Sequence, residues 1–139
     1  MWIPKSERDI LAAIEAGDLD ETSSFDARAA LPMQGKSKDL AVDVAAIAND
    51  GGVLLYGVGE DEHGRPTIIS PIKLHGAKER VDQIVRTSIS EPPAIEIHEI
   101  PAENHAEVGY LVVTIPSSSR APHMVTVGKA SVLWKKRHR

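Results

Sequence analysis

The feature that most constrains this chain is the run VLLYGV at residues 53–58, placed directly after the turn signal Asn49-Asp50-Gly51-Gly52. An unbroken apolar run of this length is too short for a helix and reads as a strand buried on both faces. A second run, YLVVTI at 110–115, has the same character. Two such strands need cover above and below, and the rest of the chain supplies it. Ser6 predicts an N-cap for a helix over 6–16, with Glu7 and Asp9 in its first turn and Gly17 as its stop. Leu40, Val44 and Ile47 repeat at helical spacing over 38–49, after a cap at Ser37. Ala41, Ala45 and Ala48 widen that face and let the helix lie close against a sheet. A third helix is predicted over 77–89, ended by Glu91-Pro92-Pro93.

Strands fill the intervals. ETSSFDAR at 21–28 reads as one. TIIS and the alternating AIEIHEI follow, the latter forming a hairpin with YLVVTI. VTVGKASVLWKK reads as a strand pair around Gly128. The expected fold is α+β, a single domain in which a mixed β-sheet is covered by about three helices. A length of 139 residues fits one such domain.

Composition removes several function classes. With no cysteine, disulfide scaffolds and thiolate metal sites are excluded. No apolar run approaches the roughly 20 residues of a membrane span, and the charged MWIPKSERDI lacks a signal core. The expectation is a cytoplasmic protein without membrane partners. The net charge of -4 hides an asymmetry: residues 108–139 carry six cations and no acid, whereas residues 1–107 carry ten cations against twenty acids. A basic end on an acidic body is either a solvated tail or a surface for phosphate-bearing partners.

Gly57-Val58-Gly59 lacks the third glycine of a dinucleotide loop and leads into acidic residues, and no GxxxxGK[ST] occurs. No nucleotide cofactor is therefore supported. The histidines at 63, 75, 98, 105, 123 and 138 show no local metal-binding spacing, and no GxSxG elbow is present. The acids hold more promise. With Phe25 turned to the core, Asp26 and Arg28 share the outward face of their strand. Glu21 reaches Asp26 only from the segment leading into that strand or across a bulge, and Glu60 lies just past VLLYGV. If the two strands are neighbours, three carboxylates and a cation converge and can hold a hard divalent ion such as Mg²⁺ or Mn²⁺. Ordinary solvated acids at strand ends are the competing reading.

Glu21-Thr-Ser-Ser-Phe25-Asp26-Ala-Arg28, followed by AAIANDGGVLLYGVGED, resembles the Schlafen AlbA_2 family, also described as a divergent AAA-4 or DNA-binding domain. Its members show an E-x-x-x-F-E-x-K strand, a helix ending A-F/I-A-N-x-x-G-G, and a strand L-x-I-G-V-x-D. Asp26, Arg28 and Glu60 depart from Glu, Lys and Asp while keeping the sign of charge. The resemblance places the domain at 21–139, after an N-terminal helix and lead-in over 1–20. It implies nucleic-acid binding, with an acidic metal triad in the nuclease members whose positions match Glu21, Asp26 and Glu60.

Three functions follow as expectations. The first is a domain contacting the phosphate backbone of RNA or DNA through Arg28, Lys36, Lys38, Lys135, Lys136, Arg137 and Arg139. The second is a Mg²⁺- or Mn²⁺-dependent endoribonuclease acting on tRNA-like RNA, with Glu21, Asp26 and Glu60 on the metal and Arg28 on the developing phosphorane charge. The third is a non-catalytic interaction module that pairs as a homodimer through its buried strands.

Overall fold

The computed structural model describes residues 1–22, 24–33, 36–127 and 130–133. The elements run α1 (Glu7–Ala16), β1 (Phe25–Arg28), α2 (Ser37–Ile47), β2 (Gly52–Tyr56), β3 (Val58–Glu60), β4 (Pro66–Ile69) and β5 (Ile72–Lys73). They continue α3 (Ala77–Ser88), β6 (Ile89–Ser90), β7 (Glu96–Ala102), β8 (His105–Ile115), β9 (Met124–Val127) and β10 (Ala130–Leu133). The class is α+β, with three helices around a mixed sheet.

That sheet has five strands, in the order β1-β2-β8-β5 with β7 on the other side of β8. β1 lies parallel to β2, and the remaining pairings are antiparallel. Every residue of β2 is buried. Leu54 and Tyr56 face α2 and α3, joining Leu40, Val44, Val81 and Val113 in the larger core cluster. Val53 and Leu55 face the opposite way, packing with Ile10 of α1, Tyr110 and Val112. β2 and β8, which hold most of the two apolar runs, are thus interior strands of the sheet. Each has a neighbour on both edges and cover on both faces, so neither offers a surface for self-association. The other strands form two smaller sheets, β10-β9-β6 and β3-β4. Val125 of β9 is buried in the larger cluster. Among the described residues no helix is long and apolar enough to cross a membrane.

Local chemistry explains most boundaries. Ser6 caps α1, its hydroxyl accepting the Asp9 N–H at 3.2 Å, and Gly17 closes the helix. Glu7 then clips α1 to the β7–β8 hairpin. Its carboxylate accepts the Tyr110 hydroxyl at 2.6 Å and the Glu103 N–H at 3.0 Å. Burial, and then the Glu7 charge, push the Tyr110 hydroxyl above its ordinary ionisation range. Asn49 finishes α2 by donating to the Ala46 carbonyl at 3.0 Å.

Three expectations need correction. Ser37 is the first helical residue and not the cap. Lys36 holds the cap position and makes no side-chain capping bond. The first strand covers only Phe25–Arg28, not 21–28. The run VLLYGV breaks at Gly57, whose φ of 114° ends β2 and starts β3 in a separate hairpin.

The double glycine has a steric reason. A Cβ on Gly52 would overlap the backbone carbonyl of Ser24, where the chain enters β1. Gly52→Ala is therefore expected to prise β1 from β2, at a cost of about 3 kcal/mol. Urea denaturation checks this, and a loss below about 1 kcal/mol would contradict the close approach.

Candidate functional site

Parallel pairing sets Asp26 opposite Leu54 and Arg28 opposite Tyr56. Both charged residues therefore lie on the face that α2 covers, where Arg28 stays partly exposed and Asp26 does not reach solvent, contrary to what the alternation of the strand suggested. Asp26 is 0% exposed. Its charge is met by the Arg28 guanidinium, Nη2 to Oδ2 at 3.2 Å, and its Oδ1 accepts the Ala27 N–H at 2.9 Å.

Arg28 is committed further. Its Nε and Nη2 donate to the two oxygens of Asp43 on α2, at 3.0 and 2.9 Å, in the fork geometry that guanidinium favours. Burial works against the Arg28 charge, but Asp43, Asp26 and Glu21 together more than offset it and hold the group firmly protonated. Sequence reasoning missed Asp43. The signal was present: Asp43 stands three residues after Leu40 and four before Ile47, on the helix's apolar stripe, where a carboxylate needs a buried partner. Beside the pair a cavity of about 420 Å³ opens, lined by Pro32, Asp39 and Tyr56 among others.

The segment leading into β1 brings Glu21 to the same place. Its carboxylate accepts the Ala27 N–H at 3.2 Å, and it hydrogen-bonds the side chains of Asp26 and Glu60. Glu60 arrives by two devices. The Gly57 N–H donates to the Arg28 carbonyl at 2.8 Å, which ties the start of β3 to the end of β1. The register of β3 against β4 then shifts between Gly59 and Glu60, re-aiming the exposed Glu60. Three carboxylates and one guanidinium thus gather at one corner of the sheet.

Like charges so close cannot all ionise freely. Burial, then the hydrogen bond and charge of Asp26, then Glu60, push the Glu21 carboxyl up to about 8, with the Ala27 N–H opposing. Near neutral pH the corner holds a proton that can be given up or taken back. Hard oxygen donors of this kind suit Mg²⁺ or Mn²⁺. As placed, however, Glu21 reaches its neighbours through hydrogen bonds. Among the described residues no group of three or more His, Asp or Glu is arranged to hold a metal ion.

The expected phosphate-binding cations are distributed otherwise. Arg28 is neutralised from within by two carboxylates. Lys36 and Lys38 are exposed at the start of α2, roughly 8–10 Å along the helix axis from Asp43. Lys135, Lys136, Arg137 and Arg139 lie outside the described residues.

The sequence model of a family described as "Schlafen, AlbA_2" matches residues 21–138. No curated protein matches the chain. Among solved structures, the chain is similar to the N-terminal domain of a RecG-related protein from Nitrosomonas europaea, determined by NMR in solution. The two share 20% identity with a TM-score of 0.58, over 98% of this chain and 91% of the other. At that identity the likeness shows the fold alone.

The raised Glu21 pKa makes stability depend on pH with a definite sign. Folded Glu21 keeps its proton to about pH 8, whereas the unfolded chain releases it near the ordinary value of 4.5. Across that window the folded form binds more protons, so this term stabilises fully below it and is lost as pH rises through it. Glu21→Gln removes the term. In chelator-treated buffer, the variant should gain stability over wild type as pH rises from about 4.5, levelling off above about 8. Denaturation midpoints across pH check this, and a difference that stays flat would contradict the shared proton.

Proposed function

Because the chain belongs to the Schlafen AlbA_2 family, we propose that it is a nucleic-acid-binding domain that contacts the phosphate backbone of RNA or DNA. The observation that carries the reading is the partition of charge: six cations and no acid after Glu107, on a body that is otherwise strongly acidic. Such a segment attracts phosphates while the body as a whole repels them, so binding centres on the basic end. Lys135, Lys136, Arg137 and Arg139 are the main contacts, with Lys36 and Lys38 as a second group. Arg28 serves the corner of the sheet instead, because a guanidinium already held by two carboxylates has little charge to offer a phosphate. The similar N-terminal domain comes from a protein described as related to a DNA helicase, which agrees with this reading.

Anisotropy titrations with tRNA, single-stranded RNA and duplex DNA test it. Affinity should fall steeply between 50 and 200 mM salt, with a log–log slope of about -3 to -4 for some four phosphate contacts. Replacing the four C-terminal cations by Ala should weaken binding more than tenfold at low salt and flatten the slope. Absence of affinity for every nucleic acid at low salt would reject the reading.

A second reading is favoured by one observation, the contact of Glu21 with both Asp26 and Glu60. In it the domain is a metal-dependent endoribonuclease acting on tRNA-like RNA. A Mg²⁺ or Mn²⁺ ion bound by these three carboxylates would supply Lewis acidity at the scissile phosphate. The chain's own residues do the positioning. Asp43 fixes the Arg28 fork, Arg28 fixes Asp26, and Glu21 must release its proton before the corner accepts a cation. Total tRNA incubated with and without Mn²⁺ should yield fragments only with the ion. Glu60→Gln, at an exposed position, should abolish them while retention of tRNA stays unchanged. Fragments that persist in chelator would reject this mechanism.

A further inference from the structure

At the other end of β2 the chain builds a second, smaller site. β8 runs out at Ile115 into Pro116-Ser117-Ser118-Ser119-Arg120, which folds back across the end of α2. Ser118 anchors this loop. Its N–H donates to the Ala48 carbonyl at 2.9 Å, and its carbonyl accepts the Ala121 N–H at 3.2 Å. Its hydroxyl oxygen accepts the Arg120 N–H at 3.2 Å and lies 2.7 Å from Nε2 of His123, itself only 2% exposed. With Ser118 fully engaged, Ser117, Ser119 and Arg120 are left exposed at the rim.

These residues line a cavity of about 380 Å³ together with Pro92, Pro93 and Pro116. The volume falls in the range of small-ligand sites. Its lining mixes two chemistries, the serines and Arg120 with the apolar rings of three prolines. Glu91 stands at the edge. Its carboxylate lies 3.8 Å from Nη1 of Arg120, a long and exposed ion pair of small worth. Glu91 also holds a left-handed φ of 47°, the one non-glycine residue to do so among the described residues. Such a conformation costs energy, and positions that keep it concentrate at functional sites.

We propose that this pocket seats one nucleotide unit of a bound nucleic acid, an inference that rests on the nucleic-acid reading above. The phosphate takes the Arg120 fork and the hydroxyls of Ser117 and Ser119, which are ordinary backbone-phosphate donors. The sugar and base lie against the proline rings. In the free protein Glu91 occupies Arg120 as a weak stand-in anion, and the phosphate displaces it.

The proposal makes two exposed neighbours act in opposite directions. Amide spectra of the full chain are followed during titration with uridine monophosphate, uridine, inorganic phosphate and an eight-nucleotide single-stranded RNA. Uridine monophosphate should shift the amides of Glu91 and Ser117–Arg120, and bind several-fold more tightly than either uridine or phosphate. Arg120→Gln should weaken the monophosphate and the RNA at least fivefold. Glu91→Gln should strengthen both several-fold, and both variants should melt with wild type. Shifts located elsewhere, or two variants that change affinity in the same direction or not at all, would overturn the pocket. RNA binding that persists without shifts here removes the pocket and leaves the nucleic-acid reading standing. Monophosphate binding here without RNA binding overturns the assignment to a polymer and makes the source a free nucleotide.

Discussion

The complete burial of β2 is the constraint on which the rest depends. A strand that hides both faces must have one layer above it and another below, and its backbone groups need partners along both edges. β8 takes one edge and β1 the other, while α2 and α3 cover one face and α1 the opposite one. β1 is only four residues long, and it reaches β2 because Gly52 leaves room for the Ser24 carbonyl. Had that position carried any side chain, the strand bearing Asp26 and Arg28 could not sit where it does. The corner of carboxylates is thus a by-product of how tightly the sheet's first two strands close.

Burial then dictates the electrostatics. Asp26 points into a helix-covered face where an unpaired carboxylate would be costly. Arg28 meets it two residues along the same face, and Asp43 on the covering helix saturates the fork. The three groups form a chain linking strand to helix, so losing Arg28 leaves two buried carboxylates without the cation they share. Glu21 and Glu60 add two more acids at the outer side of this chain. Burial first, and then the nearness of Asp26 and Glu60, explains why Glu21 retains a proton.

Much of this was legible in the residues. The second apolar run, the double glycine, the capped first helix and the β7–β8 hairpin follow from local rules that tertiary packing did not override, whereas the first run splits at Gly57. Lys36 in place of Ser37 at the cap shows where such rules weaken. The convergence of Glu21, Asp26 and Glu60 depends on a parallel pairing and a bulge, both of which are long-range. Spacing put Glu21 at the start of a strand over 21–28 and left an entry loop or a bulge as its two routes to Asp26; the shorter β1 leaves Glu21 in the segment before it. The direction of Asp26 was not legible. Alternation says which residues share a face, and only the position of α2 says whether that face is dry. Asp43 carried the missing information, a lone acid on an apolar stripe.

The first helix has a consequence of its own. Its Ile10 is fully buried in the core beneath the sheet, and Glu7 reaches across about a hundred residues of chain to Tyr110 and Glu103. The stretch matched by the family begins only at residue 21. Recombinant fragments trimmed to that start would strip the underside of its lid and leave Val53, Leu55 and Val112 wet. Wherever related chains lack such a leading helix, something else must shield this greasy floor, whether an added segment or a neighbouring polypeptide.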